Sequence, residues 1–272
     1  MRRCIVDLPD RFKAYEQVWD QRMPRRLPVI IRLDGNSFSD LTDKIGCSKP
    51  FDHGFMSAMV DSASGVLAYT GGLLAYTCSD EISIVMRNDN TVDTEPFLGN
   101  RVQKLASLCA ARATYEFGKW YDGGIFDCRV FIVPDIQEAA NYLIWRQLDC
   151  WGNAVTSQAF WGLAAKYGKK TAMKMLHGRG TNERQEICFQ ELGINCNDME
   201  TRWKRGVVVK RVNYEASVRE VVPAGRIAEL EGKPGFDPDK VVVRSKMEAD
   251  MNIPRFDGDE TERKWLMDVL GG

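Results

Sequence analysis

Apolar runs rich in β-formers alternate with apolar residues at helical spacing through the first half of the chain. The runs predict four strands, at residues 28–34, 73–78, 82–86 and 126–133. Between them, Phe55 to Leu67 and Val102 to Ala113 show the spacing of amphipathic helices. The order β-α-β-β-α-β is typical of a ferredoxin-like α+β fold. We therefore expect an antiparallel sheet with both helices on one face and the other face open for a substrate.

Capping and breaking residues set the limits of these elements. Asp52 stands where it can cap the first of the two helices, and Thr94 and Pro96 are placed to open the second, which should end at Gly118. Residues 36–52 are interpreted as a polar loop. A further amphipathic helix is predicted at 10–21, ahead of the first strand.

The second half of the chain is predicted to be mostly helical. Helices are expected at 135–167, 169–177, 183–192 and 261–270, strands at 206–213 and 240–245, and a loop containing Gly232 and Pro234 at 231–239. We interpret residues 1–134 as a catalytic core and residues 135–272 as an extension that completes the same catalytic unit.

Carboxylates stand at the ends of two predicted strands. Asp34-Gly35 ends the first strand, and Asp80-Glu81 lies in the tight connection between the second and third. Taken alone, the first pair could be a turn and the second a hairpin tip. On one sheet, however, their oxygens converge, and oxygen ligands suit magnesium. Gly35 has no side chain to prevent close approach of its carbonyl. This is the layout of a nucleotidyl-transferring, polymerase-type palm with two divalent ions.

Composition narrows the class of protein. The chain has no apolar run long enough to span a membrane and no apolar core of a signal peptide, so we expect a cytoplasmic protein. Its eight cysteines form no C-x-x-C, which favours reduced, buried thiols. Only two histidines are present, which argues against a zinc enzyme.

Basic residues are clustered although the net charge is −1. Three clusters favour a polyanionic partner. They comprise Arg22, Arg25 and Arg26; Lys166, Lys169, Lys170 and Lys174; and Arg202, Lys204, Arg205, Lys210 and Arg211.

Several motifs together resemble the tRNA-histidine guanylyltransferase family, the 3′–5′ RNA polymerases. The similarity runs in order from about residue 10 to residue 212. Its motifs are Arg32-Leu33-Asp34-Gly35-x-x-Phe38, Lys49-Pro50-x-Asp52, Ser79-Asp80-Glu81, Phe126-Asp127-x-Arg129, Tyr142-Leu143-x-Trp145-Arg146-Gln147-x-Asp149-Cys150, Phe189-x-Glu191-x-Gly193-Ile194-Asn195-x-Asn197 and Lys204-x-Gly206.

The resemblance implies roles for individual residues. Asp34, the Gly35 carbonyl and Asp80 would bind two Mg²⁺ ions, with Glu81 beside them as a third catalytic acid. ATP and GTP would be substrates, tRNA or a similar structured RNA would be the partner, and the assembly would be a homotetramer. The implied nucleotide-binding residues are Asn36, Ser37, Phe38, Ser39, Thr42, Ser48, Lys49, Asp52, Ser79, Arg101 and Lys104, and the implied RNA-binding residues are Arg146, Asn153 and Arg184.

Two departures from the family pattern concern substrate choice. A His-x-Asn-Asn segment associated with tRNA-histidine is here Trp151-Gly152-Asn153-Ala154, and a histidine after the first acid is replaced by Ser39. This pattern is similar to the Thg-like branch, which adds templated nucleotides to truncated 5′ ends. Non-templated guanylylation of tRNA-histidine, a catalytically silent RNA-binding protein and a palm cyclase that needs no RNA remain alternatives.

Overall fold

The computed structural model describes residues 7–87, 95–231, 233 and 235–271. Helices occupy Leu8–Gln17 (α1), Phe38–Lys44 (α2), His53–Thr70 (α3), Val102–Phe117 (α4), Ile136–Tyr167 (α5), Lys169–Leu176 (α6), Thr181–Leu192 (α7), Thr201–Arg205 (α8), Val218–Val221 (α9), Ala224–Leu230 (α10) and Glu260–Val269 (α11). Strands occupy Val29–Gly35 (β1), Leu74–Cys78 (β2), Glu81–Met86 (β3), Phe126–Ile132 (β4), Val207–Ser217 (β5) and Val241–Asp250 (β6). Four residues that carried expectations from the sequence lie outside the described residues: Cys4, Thr94, Gly232 and Pro234.

The predicted order of strands and helices is confirmed. The sheet runs β4-β1-β3-β2-β5-β6, and every neighbouring pair is antiparallel. The Asp52 carboxylate accepts a hydrogen bond from the Phe55 amide at 2.8 Å, so it caps α3 as expected. β5 and β6 are longer than predicted. They pair with each other along nearly their full length, and many of their residues are exposed, so the apolar pattern did not indicate the whole of either strand.

Two expectations about the sheet and its loops are wrong. Residues 36–52 are not all loop, since α2 forms there and buries Phe38 and Leu41. The second face of the sheet is not open, because α5 and α11 cover it and bury Ile30, Tyr76 and other apolar residues. The central strands are apolar on both faces, and such strands are stable only when both faces are covered.

The core consequently lies in layers. α3 and α4 pack on one face of the sheet, α5 and α11 pack on the other, and α5 continues past the sheet to pack against α6 and α7. Gln147 of α5 accepts a hydrogen bond from the Phe256 amide at 2.7 Å and donates to the Pro254 carbonyl at 3.1 Å. These bonds fix α5 beneath the tip of the sheet. Within the described residues, no helix combines the length and apolar character needed to cross a bilayer.

The expectation that all cysteines are reduced is wrong for one pair. Cys78, at the end of β2, is joined by a disulfide to Cys150 of α5, with their Cα atoms 6.0 Å apart. The two residues are 72 positions apart in sequence, so only the packing of α5 on the sheet brings them together. Cys109, Cys188 and Cys196 are buried free thiols, as expected.

Candidate active site

Acidic side chains gather at one end of the sheet, as the sequence predicts. Asp34 of β1 is the cross-strand partner of Glu81 on β3 and of Asp127 on β4. The Gly35 amide donates to the Asp80 carbonyl at 3.0 Å, which fixes the β2–β3 turn beside the end of β1. Burial raises the pKa of the Asp80 carboxyl, and the nearby Asp34 charge raises it further. The structure therefore places Asp34 and Asp80 close enough to interact.

Gly35 is required here by the close approach of a neighbouring ring. A Cβ on Gly35 would lie 2.5 Å from the Phe38 ring, which is 2% exposed and packs between Phe117 and Phe126. The turn continues through Ser37, which has the left-handed φ of 58°. Phe38 is thus chiefly a core residue that holds the turn in place, and the resemblance had assigned it to nucleotide binding.

Glu81 is held by two arginines. Its Oε1 accepts from Arg146 Nε at 2.6 Å, and its Oε2 lies 2.6 Å from Arg32 Nη2. Arg32 also lies 3.4 Å from Asp34, and Arg146 lies 2.6 Å from Asp149. The Arg146 side chain is 8% exposed and is engaged in these ion pairs. The role of Arg32 was not assigned from the sequence, because its partner is remote in the chain.

Two cavities adjoin at this end of the sheet. The larger, of about 360 Å³, lies between α2, α3, α5 and α8, and we call it the nucleotide cavity after the role that the family resemblance implies for its lining residues. The smaller, of about 140 Å³, contains Asp34, Glu81 and both arginines, and we call it the acid pocket. Their linings share Cys78, Ser79, Asp80, Cys150 and Asn153. Asp80 is therefore the acid that faces both.

Most of the predicted nucleotide-binding residues line the nucleotide cavity. They are Phe38, Ser39, Thr42, Ser48, Lys49, Asp52 and Ser79. The Lys49 ammonium bonds Thr42 Oγ1 at 3.0 Å and Asp43 at 2.8 Å, and it lies 5.5 Å from the centre of the Trp161 ring. Lys49 therefore places a cation in the lining of the same cavity as Asp80.

The Asp52 carboxylate also holds the cavity wall. One oxygen accepts from the Phe55 amide at 2.8 Å, and the other accepts from the Ser48 amide at 2.9 Å. These bonds lower the pKa of Asp52, against the effect of its burial, so the group stays ionised. Each oxygen retains a second lone pair for a base donor.

Aromatic residues from the helical half complete the nucleotide cavity and were not assigned from the sequence. Trp203 stacks on Phe51 with ring centres 5.0 Å apart and planes 9° apart, and Arg202 and Trp161 lie on the same wall. The Tyr76 hydroxyl donates to the Arg205 carbonyl at 2.9 Å, which anchors α8 to β2. The only sequence signal for this wall was the aromatic and basic composition of residues 202–205.

Other predicted site residues are not part of either cavity lining. Arg101 pairs with Asp20 at 3.0 Å at the start of α4. Thr114, near the other end of α4, accepts from the Phe126 amide at the site end of the sheet. Lys104 is therefore about 15 Å further along the helix axis. Arg184 donates to Thr156 at 2.7 Å between α7 and α5.

Asn36 and Ser37 lie in the turn after β1 and do not line either cavity. The Asn36 amide donates to the Ile125 carbonyl at 2.8 Å, and the Ser37 hydroxyl lies 3.3 Å from the Asn36 side chain. Asn153 lines both cavities and lies 3.4 Å from Asp149.

The donor set at the sheet tip fits a hard cation. Within the part of the chain that the structure describes, no three histidine, cysteine or acidic side chains are arranged as a closed metal site. Mg²⁺ is commonly bound by one or two carboxylates, with water and substrate phosphates completing its shell. Asp34 and Asp80, with the Gly35 carbonyl next to them, supply that kind of incomplete oxygen set.

Comparison with known families agrees with this geometry. The family model for tRNAHis guanylyltransferase (Thg1) matches residues 9–134, and the model for the Thg1 C-terminal domain matches residues 137–254. The chain belongs to the tRNAHis guanylyltransferase family. It is therefore a nucleotidyltransferase, and the resemblance found in the sequence is confirmed.

Two curated members of the family show the extent of the similarity. The tRNA(His) guanylyltransferase of Schizosaccharomyces pombe is 32% identical over 73% of this chain and 79% of its own length. A probable tRNA(His) guanylyltransferase of Mus musculus is 31% identical over 75% of this chain and 71% of its own length.

Solved structures in the family share the fold. A bacterial tRNA(His) guanylyltransferase (Thg1)-like protein in complex with ATP is 27% identical, with a TM-score of 0.74 over 96% of this chain and 98% of its own. The enzyme from Saccharomyces cerevisiae is 28% identical, with a TM-score of 0.62 over 72% of this chain and 91% of its own. The bacterial protein has also been solved with GTP, with a TM-score of 0.69.

Proposed function

We propose that this nucleotidyltransferase adds nucleotides to the 5′ end of tRNA or tRNA-like RNA in the 3′–5′ direction, opposite a template base. ATP or GTP would first activate the 5′ end, and the 3′-hydroxyl of an incoming nucleotide would then attack it. The reaction would repair truncated 5′ ends. A cytoplasmic location stays a prediction from the sequence.

The observation that carries the proposal is the contrast between the acids and the residues on α5. Asp34 and Asp80, the carboxylates proposed as catalytic, are both present at the sheet tip. The residues on α5 that depart from the family pattern are Trp151 and Ala154. Trp151 lines a third cavity with Lys204 and Arg205, and Ala154 is 4% exposed. An indole donates but cannot accept a hydrogen bond, and Ala154 offers no polar group to a tRNA.

A site without these polar partners should discriminate weakly between tRNAs. Strong discrimination arises when the wrong substrate leaves buried polar groups unpaired. Base pairing with the opposite strand of the acceptor stem would then supply the selectivity. Non-templated guanylylation of tRNA-histidine is the alternative that the test must separate.

Two Mg²⁺ ions are proposed at Asp34, Asp80 and the Gly35 carbonyl. When bound, they would activate the attacking hydroxyl and stabilise the triphosphate and its leaving group. Lys49 would contact phosphate in the nucleotide cavity, and the aromatic wall at Trp203 would exclude water from the base. Glu81 would act indirectly, by holding Arg32 beside Asp34.

Assembly into a homotetramer is proposed as well. Leu8, Phe12, Tyr15 and Trp19 are 57%, 56%, 62% and 65% exposed at α1 and its end. Exposed apolar groups of this size in one short segment are typical of an interaction surface.

The decisive assay compares tRNAs of several identities that lack the 5′ nucleotide and carry C, G, A or U opposite the vacant position. With labelled nucleoside triphosphates, we expect addition of the complementary nucleotide in each case. Full-length tRNA-histidine and an RNA-free reaction serve as controls. Addition of guanine regardless of the opposing base, and only to tRNA-histidine, would overturn the proposal in favour of non-templated guanylylation. A cyclic product from GTP without RNA would indicate a cyclase.

A further inference from the structure

The disulfide lies at the boundary between the nucleotide cavity and the acid pocket. Both Cys78 and Cys150 are part of the lining of each. Cys78 is two residues before Asp80 and is the cross-strand partner of Glu81. The two-residue turn Ser79-Asp80 therefore starts directly at the bridge. Any change in the bridge acts on the segment that carries Asp80.

The two cysteines of the pair differ in exposure. Cys78 is half-buried at the cavity wall, whereas Cys150 is 2% exposed. A small thiol that enters the nucleotide cavity would reach the Cys78 sulfur first. Burial raises the pKa of the Cys109 thiol to about 12, so that thiol is poorly suited to exchange.

Other contacts also hold α5 on the β2–β3 hairpin. Arg146 of α5 binds Glu81 of β3 at 2.6 Å, next to the disulfide. The Gln147 hydrogen bonds hold α5 from its other side. Reduction would thus remove one restraint on the Cys78-Ser79-Asp80 segment without detaching α5, and the Gly35–Asp80 backbone hydrogen bond would remain. The Cα separation of 6.0 Å is within the usual range for disulfides, so closure needs no backbone rearrangement.

We propose that Cys78 and Cys150 form a redox-active site for low-molecular-weight thiols and disulfides, and that the bridged form holds Asp80 and the cavity wall in place for nucleotide. In the reductive direction, the thiolate of a small thiol attacks the Cys78 sulfur and breaks the bridge, and Cys150 leaves and takes up a proton. A second small thiol then displaces Cys78 from the mixed disulfide. The products are two cysteine thiols and one small disulfide, and the oxidative direction is the reverse.

The chemistry of the pair is tested on the full-length protein in glutathione mixtures of increasing oxidised fraction. Free thiols are then alkylated and peptides are identified by mass spectrometry. We expect Cys78 and Cys150 to lose and regain alkylation together and reversibly, while Cys47 stays free. A bridge that never forms, or never opens in native protein, would overturn the proposal.

The effect on Asp80 is tested by amide hydrogen exchange, which does not depend on the proposed function. The peptide that contains residues 76–83 should exchange about tenfold faster after reduction, because local opening of the turn becomes less costly. Exchange in α6 serves as an internal control and should not change. Equal exchange of the turn in both states would show that the bridge does not restrain Asp80.

The effect of the disulfide on nucleotide binding rests on the proposed function. It is measured as the affinity for GTP of the oxidised and of the reduced protein. Reduced protein should bind GTP about three- to tenfold more weakly, because ordering of the Cys78-Ser79-Asp80 wall on binding then costs conformational entropy. Cys78→Ser and Cys150→Ser should abolish the redox difference, and Cys47→Ser, in the same cavity, should retain it. Failure to bind GTP in either state would contradict the proposed function, while the alkylation and exchange results would still decide the redox site. Equal GTP affinity in both states would overturn the coupling.

Discussion

Replacement of Arg146 by methionine would remove one of the two cations that hold the Glu81 carboxylate. Methionine keeps most of the side-chain volume, so the change tests charge rather than packing. The Glu81 and Arg146 side chains are only 11% and 8% exposed, and their contact is 2.6 Å long. Solvent therefore compensates little for the lost partner.

The expected cost follows from burial and from the remaining contacts. Removal of one partner of a buried ion pair typically costs about 3–5 kcal/mol. Arg32 still binds the other Glu81 oxygen at 2.6 Å, so we expect the lower end of that range, about 3 kcal/mol. The second contact of Arg146, with Asp149, adds little because the Asp149 side chain is 47% exposed.

The assay is denaturant unfolding of the wild type, Arg146→Met, Glu81→Gln and the double variant at one fixed redox potential. The matched control is Asp149→Asn, which removes the exposed contact of the same arginine and should cost about 0–1 kcal/mol. The double-mutant cycle for Glu81 and Arg146 should give a coupling energy of about 2 kcal/mol.

A coupling energy near zero would refute the reasoning, as would an Asp149→Asn variant as destabilised as Arg146→Met. The second result would mean that the exposed contact with Asp149 contributes as much as the buried one. A coupling energy near zero would mean that Glu81 is not held by Arg146 in solution. Glu81 would then be available as a metal ligand, and its role in the site would be direct.

Three other substitutions test other parts of the site. Asp80→Ala should reduce nucleotide addition by more than about 100-fold in magnesium, with unchanged circular dichroism, since a proposed metal ligand at a turn is lost without a core cavity. Lys104→Ala should raise the KM for triphosphorylated RNA about tenfold and leave GTP binding in the nucleotide cavity unchanged, if this exposed cation meets the second triphosphate. Gly35→Ala should lower the free energy of unfolding by about 1–3 kcal/mol because its Cβ would meet the Phe38 ring. Gly152→Ala, whose Cβ would be 3.6 Å from its nearest neighbour, is the control and should not destabilise.

The chain sequence was sufficient to predict the order of the first strands and helices and the end at which the acids gather. Alternation of apolar runs and helical repeats is a local property, and Asp52 at a helix start acts within three residues. Asp34 and Asp80 could be placed together because each follows an apolar run. The strands β1 and β2 are both antiparallel to β3, which lies between them, so they end at the same edge of the sheet. The strand termini alone therefore indicated the candidate site.

Only the tertiary structure decided which side chains complete that site. Glu81 and Arg146 are 65 positions apart, Cys78 and Cys150 are 72 apart, and Phe51 stacks on Trp203 from the other half of the chain. These contacts depend on α5 packing on the second face of the sheet and on α8 packing against α5 and β2, which local periodicity does not specify. The periodic spacing of apolar residues indicates which side chains are buried. The residues that they contact are set by how distant elements pack. The family resemblance implied a catalytic acid at Glu81 and an RNA contact at Arg146, and the fold joins these two residues as a buried ion pair.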